Sequence, residues 1–111
     1  MKIKNLATLA ILAASLFGLA DTAFAQTNAG KDALFVKSLA ATCANCHGTN
    51  GRAVEGSSVV SIAGLDKAYM IAQMKAFKDG TRPATIMHQL SKGYSDAQIE
   101  TLATYFAAQK K

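Results

Sequence analysis

Apolar residues recur at steps of three and four between Lys31 and Cys46, where Ala33, Val36, Leu39, Ala40 and Cys43 fall on one helical face. Gly48 follows as a natural stop, so Cys46 and His47 lie at the C-terminal end of this predicted helix. The pattern then breaks: Thr49 to Gly64 is rich in Gly, Ser and Asn and reads as a loop. A second stripe, Met70, Ile71, Met74 and Phe77, predicts a helix over Asp66–Asp79, with Asp66 as N-cap and Gly80 at the stop. Gly80 to Gly93 begins as a loop around Pro83 and contains Met87 and His88; Arg82, before the proline, is biased away from helix. The last helix is predicted over Ser95–Gln109. Ser95 and Gln98 form a capping box, and Ile99, Leu102, Ala103 and Phe106 make the buried stripe. Two-residue alternation of the kind that marks strands is missing, so the expectation is an all-α fold with three main helices.

The first residues change what counts as the folded chain. Lys2 and Lys4 form a basic head, Leu6 to Ala20 is apolar and uncharged, and Ala23-Phe24-Ala25 is a small-residue cleavage pattern. That order predicts a secretory signal over residues 1–25, cleaved after Ala25, and one domain over 26–111. The apolar run of 15 residues falls short of the roughly 20 that span a bilayer. No other stretch is a candidate span, so the expectation is an exported, periplasmic chain. Losing Lys2, Lys4 and Asp21 takes the basic residues from 12 to 10 and the acidic ones from 7 to 6, a net charge of about +4. The charges are spread, unlike a nucleic-acid stripe. Lys75, Lys78 and Lys92 are candidates for steering an acidic partner.

A chain this short buries a modest share of its surface and commonly needs a staple. Both cysteines of the sequence, Cys43 and Cys46, stand in Cys43-Ala44-Asn45-Cys46-His47. A disulfide between them closes too small a loop to help much and leaves His47 without a role. A thioredoxin-like redox pair expects alternating strands and helices. Zinc wants four ligands, and beyond these three residues only His88 remains. The C-x-x-C-H spacing instead fits covalent haem c. On a helical turn, residues i and i+3 share a face, so two thiols reach the two vinyl groups on one porphyrin edge. The following imidazole then reaches the iron. A covalent haem also supplies apolar bulk that the chain cannot build alone.

His47 fills one axial position, and the other decides the chemistry: methionine gives a closed electron-transfer site, whereas an open position invites small ligands. The candidates are Met70, Met74, Met87 and His88. Met70 and Met74 share a predicted helix face and read as core. Met87 follows Pro83 on a predicted irregular segment and is the favoured ligand. His88, the remaining imidazole, competes with it.

The stretches Cys43-Ala44-Asn45-Cys46-His47-Gly48, Lys75-Ala76-Phe77-Lys78 with Gly80 and Arg82, then Met87, then Lys92-Gly93-Tyr94-Ser95-Asp96, resemble the small class I bacterial cytochromes c. Within these they look most like the cytochrome subunit of flavocytochrome c sulfide dehydrogenase, over about Leu34 to Gln109. The resemblance implies a class I cytochrome c fold, three main helices around one covalently bound haem. In it the first and last helices cross, with Phe35, Leu39, Leu102, Tyr105 and Phe106 as candidates for the crossing, and the middle helix closes the haem pocket. It implies Cys43 and Cys46 as haem attachment points, His47 as proximal and Met87 as distal iron ligand. It also implies electron transfer without catalysis, from a flavoprotein sulfide dehydrogenase partner. The alternative is a free periplasmic shuttle between redox complexes. A third class, an enzyme or gas sensor with an open iron, lacks an acid–base pair: Asn45, Thr49 and Asn50 beside the motif are poor proton donors.

Overall fold

The structure, a computed structural model, describes residues 29–111; the predicted signal segment and its cleavage point lie outside them. Contacts divide the chain between Leu34 and Phe35. Among the described residues every regular element is helical, and no helix is long and apolar enough to cross a membrane. Helix α1 covers residues 29–47, α2 Lys67–Asp79, α3 Met87–Leu90 and α4 Asp96–Ala107. Single 3-10 turns stand at Thr49–Gly51 and Ser91–Gly93.

The helix ends follow their local chemistry. The Asp66 carboxylate accepts from the Tyr69 N–H at 2.8 Å and starts α2, and Gly80 ends it. At α4 the Ser95 hydroxyl accepts from the Gln98 N–H at 3.2 Å, while the Gln98 side chain accepts from the Ser95 N–H at 2.9 Å. Both members of the capping box are therefore made. Replacing Ser95 with alanine should cost about 1 kcal/mol, seen as a thermal midpoint lower by about 4–8 °C. An unchanged midpoint would mean that α4 is held by its packing alone.

That packing is a small core. Ala40 from α1, Met70 from α2, and Leu102, Ala103 and Phe106 from α4 form the buried cluster, with Leu39, Cys43 and Tyr105 half-buried against it. Alanine at 40 and 103 leaves room for α1 and α4 to come close, as small residues at a helix contact do. Phe35, expected at this crossing, is instead 56 % exposed. It lies more than a turn before Ala40, off the end of the contact.

Helix α2 packs on α4 and on α3. Three surface ion pairs join it to α4: Lys67–Glu100 at 3.1 Å, Lys75–Asp96 at 3.5 Å and Lys78–Asp96 at 3.3 Å. Lys78 Nζ also donates to the Tyr94 carbonyl at 2.7 Å. The two lysines hold the Asp96 carboxyl below the usual range, Lys78 most of all. Two of the three lysines expected to steer a partner are thus turned toward Asp96, and Lys92 is exposed.

Candidate functional site

Cys43, Cys46 and His47 all belong to the last turn of α1. The thiols are three residues apart, hence on one side of the helix, and they are not joined to each other. Gly48 ends the helix at φ +81°, where a Cβ would run into the Arg52 carbonyl. The chain folds back through the turn Thr49–Gly51, with the Gly51 N–H donating to the Gly48 carbonyl at 2.8 Å. Gly51 then anchors the next loop. Its carbonyl accepts from the N–H of Ile62 at 2.8 Å, the N–H of Ala63 at 3.0 Å and the Ser61 hydroxyl at 2.9 Å.

This anchoring sets Val60 beside His47. The His47 Nδ1 lies 2.7 Å from the Val60 carbonyl oxygen. A carbonyl only accepts, so Nδ1 carries the hydrogen and donates it. Nε2 then carries the free lone pair in a fixed orientation, the nitrogen available to ligate a metal. Sequence reasoning missed Val60, because a main-chain carbonyl leaves no signature in residue type.

The same turn forms one wall of a cleft of about 660 Å³, within the range of small-molecule and cofactor sites. Cys43, Cys46 and His47 line it together with Met87, Leu102 and Phe106. Most of the lining is apolar, and Arg82 is its only lysine or arginine; Asp and Glu do not occur in it. Tyr94 is fixed at one side: Thr42 Oγ1 donates to the Leu39 carbonyl at 2.7 Å, so the Tyr94 hydroxyl, 2.7 Å away, donates to Thr42. Burial pushes the Cys43 thiol up, and the neighbouring Thr42 and Tyr94 hydroxyls pull against it. Cys46 is exposed.

Of the four candidates for a second axial ligand, Met70, Met74 and Met87 all line the cleft and His88 does not. Met70 is buried in the core at 7 % exposure. Met74 is half-buried, and its Sδ accepts from the Ser91 hydroxyl at 3.7 Å, Ser91 being fully buried. Met87 is half-buried on the cleft wall. His88 is half-buried outside the lining, with a buried Nδ1 that has no partner. Met87 and His88 occupy the first turn of α3 rather than an irregular segment. Ile86 opens that turn: its carbonyl accepts from Gln89 and Leu90 at 2.9 and 3.1 Å. One turn is too short to show a period in sequence. Adjacent residues on a helical turn diverge by about 100°.

Thiols, a tautomer-fixed imidazole and a thioether around one apolar cleft are a donor set for iron porphyrin. The sequence profile of the cytochrome c family matches residues 33–110. This chain belongs to the cytochrome c family. Its fold is the class I cytochrome c fold, and its cofactor is covalently bound haem c. It is an electron-transfer domain.

Among similar proteins, the cytochrome subunit of sulfide dehydrogenase from Chlorobaculum tepidum is 38 % identical over 61 % of this chain and 60 % of its own length. The thiosulfate dehydrogenase electron acceptor of Thiomonas intermedia is 37 % identical over 64 % of this chain and 33 % of its own. A solved cytochrome c4 from Acidithiobacillus ferrooxidans superposes with a TM-score of 0.56 at 33 % identity, covering 60 % of this chain and 37 % of that one. This cytochrome therefore spans between a third and three-fifths of the length of these relatives.

Proposed function

We propose that this cytochrome carries electrons through one haem c, held by thioethers to Cys43 and Cys46, with His47 Nε2 and Met87 Sδ as the axial ligands. One observation carries it: both thiols, the imidazole and Met87 line the same cleft, the imidazole is committed through Nδ1 to Val60, and the other two methionines of the lining are buried in the core (Met70) or accept from Ser91 (Met74). When bound, the haem supplies a one-electron carrier whose potential is set by its ligands and surroundings. The chain does the rest. The Val60 carbonyl fixes the imidazole plane and its basicity. Leu102 and Phe106 give the cleft apolar wall, and the Ser91 hydroxyl donates to the sulfur of Met74, which lines the cleft too.

The partner is a dehydrogenase that gives up electrons, most simply a flavoprotein sulfide dehydrogenase acting in the periplasm. The roles of the two relatives support a dehydrogenase donor, and the basic head, apolar run and Ala23-Phe24-Ala25 support export. A free shuttle between redox complexes is the second reading, favoured by the relative named as an electron acceptor. Two measurements on the purified chain test this. Pigment should stay with the polypeptide in acidified organic solvent; pigment released into the solvent sinks the thioether assignment. A flavin-containing chain should copurify at low salt; a red protein eluting alone at about 10 kDa, the size expected of a domain of this length, supports the shuttle instead.

A further inference from the structure

The turn that follows His47 carries a reactive pair. Asn50-Gly51 is the one place in the sequence where an asparagine precedes a glycine. Glycine has no side chain to shield its amide nitrogen, so that nitrogen can close a five-membered ring on the preceding carboxamide. Asn50 is exposed, so water reaches it, and it lines a second cavity of about 470 Å³ together with Tyr105, Lys37 and Gln109. Among the described residues it is also the only non-glycine with a positive φ, at +56°, a region that asparagine tolerates better than most side chains.

Two contacts oppose ring closure. The Tyr105 hydroxyl donates to Asn50 Oδ1 at 2.7 Å, tying the carboxamide to α4. The Gly51 N–H donates to the Gly48 carbonyl at 2.8 Å, so the proton that the nitrogen must lose is already engaged. Gly51 also supplies the carbonyl on which Ser61, Ile62 and Ala63 converge, and that convergence seats Val60 on His47.

We infer that Asn50-Gly51 is a latent self-modification site, kept closed by Tyr105 and Gly48. In the reaction the Gly51 amide gives its proton to solvent and its nitrogen bonds to the Asn50 Cγ. The Cγ–Nδ2 bond breaks, and ammonia leaves with a proton from water. Water then opens the cyclic imide at either carbonyl, giving aspartate or isoaspartate at position 50. The amide and a water become a carboxylic acid and ammonia, with no change of oxidation state. Isoaspartate routes the main chain through the side-chain carbon, a methylene longer, immediately before the Gly51 anchor. The closed turn therefore protects the seat of His47, and modification loosens it. The chemistry needs no haem, so it stands or falls apart from the function proposed above.

The test is the rate of this exchange in the haem-loaded protein, held at mildly alkaline pH and then digested with trypsin. The peptide of residues 38–52 carries Asn50 and, as an internal reference, Asn45. The mass gain of amide-to-acid exchange should fall on Asn50 and stay slow in the folded parent. Tyr105→Phe keeps the ring and removes the hydroxyl, and should gain mass about two- to tenfold faster, the range of one hydrogen bond. The parent unfolded in urea should react faster than either. The inference is overturned if Tyr105→Phe reacts no faster than the parent, if folding gives the parent no protection over urea, or if Asn45 takes the gain instead. If Tyr105→Phe does not fold, hydrogen exchange in the parent decides: the Gly51 N–H should be protected, and a freely exchanging one overturns the inference. In the separated product the His47 Nδ1–H should exchange with solvent faster than in the parent, and equal exchange overturns the link to His47.

Discussion

Replacing Met87 with alanine should abolish the weak near-infrared sulfur-to-iron absorption completely while the pigment stays covalently attached. The attachment depends on Cys43 and Cys46, on α1, and Met87 stands on a separate element, α3. The reduced variant should bind carbon monoxide at neutral pH, because an axial position has been opened. Its reduction potential should fall, since methionine ligation raises it. The three rivals have physical reasons not to take over. Met70 is locked in the core, where its removal would instead cost stability, about 2–5 kcal/mol. The Met74 sulfur is engaged by the buried Ser91 hydroxyl. His88 does not line the cleft. Met74→Ala should therefore keep the band. The opposite result, a band that survives Met87→Ala and vanishes in Met74→Ala, would reassign the ligand.

The helices were legible in the sequence because their causes are local. Asp66, Ser95 with Gln98, and the stripes of α2 and α4 act within a turn or two of themselves, and the structure makes each of those contacts. The bounds shift by a residue or two: α1 extends through His47 and α4 ends at Ala107. Cys43, Cys46 and His47 fall together at the end of α1, as their spacing predicts. What depends on tertiary context was not legible. The Val60 carbonyl reaches His47 only because Gly51 anchors the intervening loop. Nor does sequence show that Gly48 lies against the Arg52 backbone and Gly51 against Ile62 and Phe106. Lys75 and Lys78 read as free charge because sequence does not say that Asp96 lies between them.

Phe106→Ala should be the most damaging single change to the fold. The ring is 1 % exposed and joins α4 to the core, and it closes the cleft as well. Truncating a buried phenylalanine costs about 3–5 kcal/mol, a large part of the 5–15 kcal/mol that holds a typical domain folded. In thermal unfolding of the haem-loaded protein the midpoint should fall by at least 10 °C, at about 4–8 °C per kcal/mol for a domain of this size. A fall of only a few degrees would mean that the covalent haem, rather than this ring, organises the core. A cycle with Gly51 locates the contact. A Cβ on Gly51 would stand 2.7 Å from the Phe106 Cδ1 and 2.7 Å from the Ile62 Cγ1, at a φ of +79° that side chains disfavour. Gly51→Ala should therefore be costly in the parent and less costly in the Phe106→Ala background, where the collision with the ring is gone and the conformational strain remains. Purely additive costs would show that the ring moves aside freely, and that its close approach to the turn after His47 is not what fixes the site.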